Sequence, residues 1–297
     1  MRRTANVVLV GLATLGVAAV AGPATAHPAS TPKPTGTIFF FRENAAQNGQ
    51  NAFSMTATGK KVHRVPHIGT DFPALPAPKV HEIITTVQPA QFVRSIGVST
   101  YAGKVKHVYK SKTFDQVVSV SPNGKYLGAE ISQSAGAAFA ITTIKGKNPK
   151  ILFSWTSVPP TVAESWNPTS TQVAVVDTNP NTNKSTLKIY NLKGKVVRTL
   201  LTGASLSGGL SWSASGVLAY TTGHEIAEIR ATGGNPHLLI DLGANYPYGV
   251  SYSPNGAFLA YGVDVVSTPD TFQVWRATAA GASRVEINGK GSQPHWG

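Results

Sequence analysis

Ser121-Pro122-Asn123-Gly124-Lys125-Tyr126-Leu127 returns 132 residues later as Ser253-Pro254-Asn255-Gly256-Ala257-Phe258-Leu259. Looser copies are Asn167-Pro168-Thr169-Ser170-Thr171-Gln172-Val173 and Ser213-Ala214-Ser215-Gly216-Val217-Leu218. The chemistry of the phrase is that of a tight turn: proline presets φ, and glycine accepts the positive φ that closes the reversal. An alternating apolar run precedes each copy and another follows it, so each reads as a β-hairpin. The steps from Pro122 to Pro168, Ala214 and Pro254 are 46, 46 and 40 residues. Stepping back 44 from Pro122 reaches Pro78, and 44 more reaches Pro34, with Ile83 and Phe39 as the apolar residues that follow. The turn therefore occurs six times.

A second marker gives the same count. A small residue is followed about four positions on by a base: Gly59 with His63 and Arg64, Gly103 with His107, Gly146 with Lys150, Gly194 with Arg198, Gly233 with His237, and Ala280 with Arg284. Short apolar stretches flank each, which makes a second hairpin per period. Two hairpins per period of about 44 residues, with no helical periodicity, are the mark of four-stranded propeller blades. The expected fold is all-β: a six-bladed β-propeller with four antiparallel strands per blade. Val120, Trp166, Trp212 and Tyr252 stand two positions before successive anchors, and Trp296 continues the series 44 residues after Tyr252. The C-terminal strand is thus expected to complete the first blade and to remove an open sheet edge.

The Ser-Pro-Asn-Gly-Lys phrase, followed by an apolar strand and preceded by Trp or Tyr, resembles the TolB-like, WD-type propeller repeat, often written Ser-Pro-Asp-Gly-Lys. The resemblance covers about Pro34 to Gly297, and asparagine replaces aspartate at Asn123 and Asn255. The 297 residues hold neither the α/β domain that precedes the propeller in TolB nor the hydrolase domain of prolyl-oligopeptidase-like enzymes. The resemblance implies a stand-alone exported binding propeller and no catalytic residue.

Residues 1–26 read as a cleaved signal peptide: Arg2 and Arg3, an apolar run from Val7 to Val20, then Ala24-Thr25-Ala26. Residues 27–33 read as a tether and 34–297 as the propeller. The apolar run is shorter than the roughly 20 residues of a spanning helix, and no later segment is long and apolar enough. The chain has no cysteine, which excludes disulfides, thiolate chemistry and cysteine metal sites. Lys and Arg number 26 against 13 Asp and Glu; without Arg2 and Arg3 the balance is 24 against 13, a net charge of +11. Such an excess suits anionic partners, and export argues against nucleic acid.

Motifs for chemistry are incomplete. Gly203-Ala204-Ser205-Leu206-Ser207 and Gly249-Val250-Ser251-Tyr252-Ser253 lack the last glycine of a nucleophile elbow. His81-Glu82 and His224-Glu225 lack the second histidine of a zinc-protease helix. His63, His67 and His107 read as surface residues. Asp177 to Asn183 has oxygen ligands at alternate positions but lacks the calcium-loop glycine and glutamate. Trp166, Trp212, Tyr252 and Trp296 hold one equivalent position, as packing between blades requires. No metal or cofactor is expected.

The expected function is that of an exported, non-catalytic binding protein, a monomer whose partner is a protein or an anionic cell-envelope polymer. The alternatives are a calcium-dependent, lactonase-like hydrolase at the channel mouth and a purely structural envelope module. The hydrolase needs several converging oxygen ligands, and only Asp115 and Glu164 lie near the start of an innermost strand. In each blade the first and third turns should emerge on one face. That places Lys60, Lys61, Arg64, Lys104, Lys106, Lys125, Lys145, Lys147, Lys150, Lys193, Lys195 and Arg198 together. All but Lys125 form the candidate anionic-partner site. Glu43, Asp71, Asp115, Glu164, Asp177, Asp241, Asp264 and Asp270 are expected on the opposite face, with Lys110, Lys112 and Lys184 as exceptions there.

Overall fold

The computed structural model describes residues 32–43, 50–66, 75–90, 93–110, 114–134, 136–156, 161–179, 181–268 and 271–297. The expected signal peptide and most of the tether lie outside them. Pro34–Gly297 forms one unit by itself.

The unit contains six four-stranded antiparallel sheets. Blade 1 has β1 (Thr37–Glu43), β2 (Gln50–Thr56) and β3 (His63–Arg64). Blade 2 is β4 (Leu75–Ala77), β5 (Glu82–Ala90), β6 (Val93–Thr100) and β7 (Val105–Lys110). Blade 3 is β8 (Phe114–Val120), β9 (Tyr126–Gln133), β10 (Gly136–Thr143) and β11 (Lys150–Trp155). Blade 4 is β12 (Thr161–Trp166), β13 (Gln172–Asn179), β14 (Lys184–Asn191) and β15 (Val196–Ala204). Blade 5 is β16 (Leu210–Trp212), β17 (Val217–Thr222), β18 (Glu225–Arg230) and β19 (His237–Asp241). Blade 6 is β20 (Tyr246–Tyr252), β21 (Phe258–Asp264), β22 (Phe272–Thr278) and β23 (Val285–Asn288). β24 (Ser292–Trp296) is the innermost strand of blade 1.

The repeated turn is held by its own side chains. Ser121 Oγ accepts from Tyr126 N at 2.9 Å and Asn123 Oδ1 from Lys125 N at 3.0 Å, while Gly124 N donates to Ser121 O at 2.8 Å. Ser253, Asn255 and Gly256 repeat this, with Phe258 N to Ser253 Oγ at 3.0 Å and Ala257 N to Asn255 Oδ1 at 3.1 Å. The acceptor is one side-chain oxygen, so asparagine serves as well as the aspartate of the common repeat. Gly124 and Gly256 have φ of 67° and 69°; in the looser blade 4 copy Ser170 takes φ 60°, a conformation that costs a non-glycine residue free energy. Blade 2, whose turn is the least like the others in sequence, shares the main-chain bond of the turn, with Val80 N donating to Ala77 O at 3.2 Å.

β24 pairs antiparallel with β1, setting Ile38 against Trp296 and Phe39 against His295. Thr37 and Gly297 exchange main-chain hydrogen bonds at 3.2 and 2.8 Å. The closure expected from the spacing is therefore present.

The core lies between the blades. Six apolar clusters each join two neighbouring blades, such as Ile84 and Ile96 of blade 2 with Val117 and Leu127 of blade 3. Trp166, Tyr252 and Trp296 are buried there as expected, and Trp212 is half-buried. Trp166 stacks on Tyr126 with centroids 6.1 Å apart, and Trp296 on Phe258 at 6.3 Å. These rings pack blade against blade, and all four also border the larger cavity of the channel.

Candidate functional site: the channel and its two ends

Short innermost strands surround a central channel. Serines latch one blade to the next along it. Ser165 Oγ accepts from Trp212 N at 2.8 Å, Ser211 Oγ from Tyr252 N at 2.9 Å, and Ser251 Oγ from Trp296 N at 2.8 Å. Ser119 Oγ accepts from the Trp166 indole Nε1 at 2.9 Å. The sequence carries this signal as a serine immediately before each of Val120, Trp166, Trp212 and Tyr252, and its meaning appears only when the blades are side by side.

Two cavities lie along the channel among the described residues. One, of about 430 Å³, opens at the end where the repeated turns emerge and is bordered by Pro122, Pro168 and Pro254. The other, of about 330 Å³, opens at the opposite, loop end beside Gln116, Ser207, Tyr248 and Gln293. Leu75, Val118, Glu164, Leu210, Val250 and His295 border both.

Two titratable groups interrupt that apolar waist. Val118, Leu210 and Val250 occupy the place four residues before the turn anchor, and blade 4 alone among these puts a carboxyl there, Glu164. Part of Glu164 faces the channel, yet Oε2 is shut off from solvent and has no hydrogen-bond partner. Gly128 leaves room for it: a Cβ there would lie 2.6 Å from Ser119 Oγ and 3.4 Å from Glu164 Cγ. Burial pushes the Glu164 carboxyl up to about 8, with the Ser119 hydrogen bond opposing and the Glu130 charge adding. His295 stands three blades away in the ring of six. Burial pushes its imidazole down to about 4, and its ring meets Phe41 edge-on at 6.1 Å. Burial thus favours the uncharged form of both groups.

This corrects the placement of Glu164. It is the fourth residue of β12, in the channel wall, and not at the face where the acidic set was expected. Asp115 does lie at the loop end, at the start of β8, where Oδ2 accepts from Ser132 Oγ at 2.6 Å. Asp241 and Asp264 end strands that run to the same end, and Asp177 lies two residues before the end of another. The Glu43 side chain, Asp71, Lys112 and Asp270 lie outside what is described. Among the described residues no cluster of three or more His, Asp or Glu could hold a metal ion. His63 and His107 are exposed, and His67 is outside the described residues. In the Asp177 to Asn183 segment, Asn179 Oδ1 accepts from Asn181 N at 2.9 Å as in an ordinary polar hairpin loop.

The basic residues emerge at the turn end. Lys60, Lys61, Lys104, Lys145, Lys147, Lys193 and Lys195 lie in the turns between third and fourth strands of blades 1 to 4. Arg64, Lys106, Lys150 and Arg198 lie on the fourth strands that follow. All eleven are exposed. Lys106 forms an ion pair with Glu82, an acid at the turn end that sequence reading did not place there. Arg64 Nη2 donates to Asn51 Oδ1 at 2.7 Å. Lys79, from the blade 2 turn, reaches the carbonyl of Pro168 in blade 4 at 2.6 Å. At the loop end, Arg42, Arg94, Lys110, Lys184 and Lys290 are bases among the acids.

No family model and no curated protein matches the sequence. Solved structures do match in fold. The crystal structure of TolB from Acinetobacter baumannii is similar over 90% of this chain and 68% of that chain, at 16% identity and a TM-score of 0.68. The structure of putative TolB from Agrobacterium tumefaciens is similar over 88% of this chain and 92% of that chain, at 14% identity and a TM-score of 0.60. A chain in the crystal structure of a nidogen/laminin complex is similar over 88% of this chain and 98% of its own length, at 14% identity and a TM-score of 0.62. The chain has a TolB-like six-bladed propeller fold.

Proposed function

We propose that this chain is a non-catalytic binding propeller that works outside the cytoplasm and engages an anionic partner, a protein or an envelope polymer, through its turn end. The observation that carries this reading is the set of eleven exposed bases on the third turns and fourth strands of four consecutive blades. Consecutive turns of a propeller follow the rim, so the set follows an arc. An arc of cations attracts a polyanion or an acidic protein surface over roughly a Debye length, about 8–10 Å at physiological salt. The nidogen/laminin structure, by its description, holds a similar fold in a protein complex. Residues 1–26, read as a signal peptide, supply the route to the envelope.

The test is a pull-down from the native cell envelope with the parent chain and with Lys193, Lys195 and Arg198 replaced by glutamine. The parent should retain a partner in low salt and release it as salt rises. The triple variant should bind more weakly, with a flatter salt dependence. Equal binding with an unchanged salt slope would remove these bases from the function.

A further inference from the structure

The loop end carries a different kind of surface. Tyr246 is 45% exposed and Tyr248 39% exposed, whereas the rings of the repeated inner position are packed between blades. Both tyrosines lie on β20, on either side of the buried Pro247. The β20–β21 register breaks between Pro247 and Val250, and Gly249 takes φ 82° within the break. Gly262 admits the bulged backbone: a Cβ there would stand 2.2 Å from the Tyr248 carbonyl oxygen. A bulge of this kind re-aims side chains that a regular strand would send elsewhere.

The rings are braced where they stand. The His224 ring lies 4.3 Å from Tyr246, centroid to centroid, and Phe272 lies 5.3 Å from Tyr248. His224 Nδ1 is hydrogen-bonded to Asn245 O at 3.0 Å, and Asn245 Oδ1 accepts from Val266 N at 3.2 Å. Leaving large rings in water sacrifices the stabilisation that burial brings, so a braced, exposed pair invites a ligand. Tyr248 also borders the loop-end cavity of about 330 Å³. Around its mouth stand Gln116, Ser207 and Gln293, neutral groups that both donate and accept hydrogen bonds.

We propose that the loop end binds a neutral saccharide chain, with one sugar ring stacked on Tyr248 at the mouth of the cavity and a neighbouring one on Tyr246. A pyranose offers a C–H face to the electron-rich face of an aromatic ring, and hydroxyls at its edge to amides. Rings beside neutral amides at a concave mouth match both needs. The volume falls within the range of about 300–1,000 Å³ common to ligand sites. A polyanion would find its cations at the other end of the channel. The site shares no residue with the basic arc, so either can fail without the other.

The test is calorimetric titration of the purified chain with a panel of neutral hexasaccharides, from chitin, cellulose, mannan and β-1,3-glucan, and with a decaproline peptide. At least one saccharide should bind. Since stacking on one aromatic ring is worth about a factor of ten in affinity, Tyr248→Ala should weaken binding by about that much, and Tyr248→Phe should restore it. Binding should be insensitive to salt and to the Lys193, Lys195, Arg198 to glutamine changes. Thermal melts should show the variants folded, because both tyrosines are exposed. The proposal is overturned if no saccharide binds, if binding survives Tyr246→Ala with Tyr248→Ala unchanged, or if decaproline takes the tyrosines and the saccharides do not.

Discussion

At the turn end of the channel, the inner hairpins close in a similar way, with a Ser or Asn oxygen accepting main-chain N–H groups across the turn in blades 3 to 6. At the loop end no such pattern recurs. Connections differ in length, β20 is bulged, and Tyr246, Tyr248 and Asp115 are particular to their blades. The regular end repeats because its chemistry is local: the residues that make each turn are neighbours in the chain. The hydrogen bonds of the irregular end, such as Ser132 to Asp115 and Val266 to Asn245, differ from blade to blade, and loops that vary in this way are where binding residues accumulate. The difference teaches that regularity here marks folding, and departures from it mark candidate sites.

The hardest test of this division removes a strand that serves both ends. Deleting Ser292 to Gly297 takes away β24, which supplies Gln293 to the loop-end cavity and Trp296 to the turn-end one. It also exposes the edge of β1, a template for pairing with other chains. The expected outcome is loss of the cooperative thermal transition or insolubility, since the whole stability of a domain is only about 5–15 kcal/mol. A truncated protein that melts at the parent temperature would show that the ring does not need its closing strand.

A smaller effect separates two tryptophans that the repeat treats as equals. Trp166 is buried, stacks on Tyr126 and donates to Ser119, while Trp212 is half-buried. Trp166→Ala should cost about 3–5 kcal/mol, the usual range for losing a buried aromatic, and Trp212→Ala less. Urea midpoints of the two variants decide it; equal losses would mean that exposure at this position is energetically irrelevant.

The mildest change sharpens the contrast at the waist. The folded chain holds the Glu164 proton up to about pH 8, while an unfolded chain sheds it near 4.5. The folded state therefore binds more protons across that interval, and stability falls as pH rises through it. Glu164→Leu should remove this loss and raise the urea midpoint at pH 8 more than at pH 5. His295 acts with the opposite sign: its folded value near 4 lies below the ordinary 6.5, so stability falls as pH drops through that window. His295→Gln should flatten the acid side. Parallel pH profiles for parent and variants would mean that neither group is held away from water.

Much of the architecture was legible. Pro122-Asn123-Gly124 and its copies announce turns by residue chemistry, and a fixed spacing of turns counts blades. Trp296, placed one period after Tyr252, pointed to the closing strand that β24 forms. The arc of bases was legible for the same reason, because turns of known order in antiparallel sheets must emerge at known ends. Glu164 was misplaced because its strand position was read without its depth in the wall. Glu82 was overlooked at the turn end because the blade 2 turn departs from the repeat. Tyr246 and Tyr248 gave no signal, since alternating aromatics on a strand read as packing until a bulge turns them outward.

The amino-acid sequence by itself determined the number of blades, the order of strands, the closure and the end at which the bases emerge. Each of these depends on contacts between residues close in the chain or on a period that any stretch of it reveals. Only the tertiary structure decided that a carboxyl and an imidazole share the waist of one channel, Glu164 and His295 being 131 residues apart. Only it decided that a serine on each of four inner strands latches the neighbouring blade, and that two tyrosines stand braced in solvent beside a cavity. Those are relations between blades, and they exist once the ring has closed and the short inner strands face one another across it.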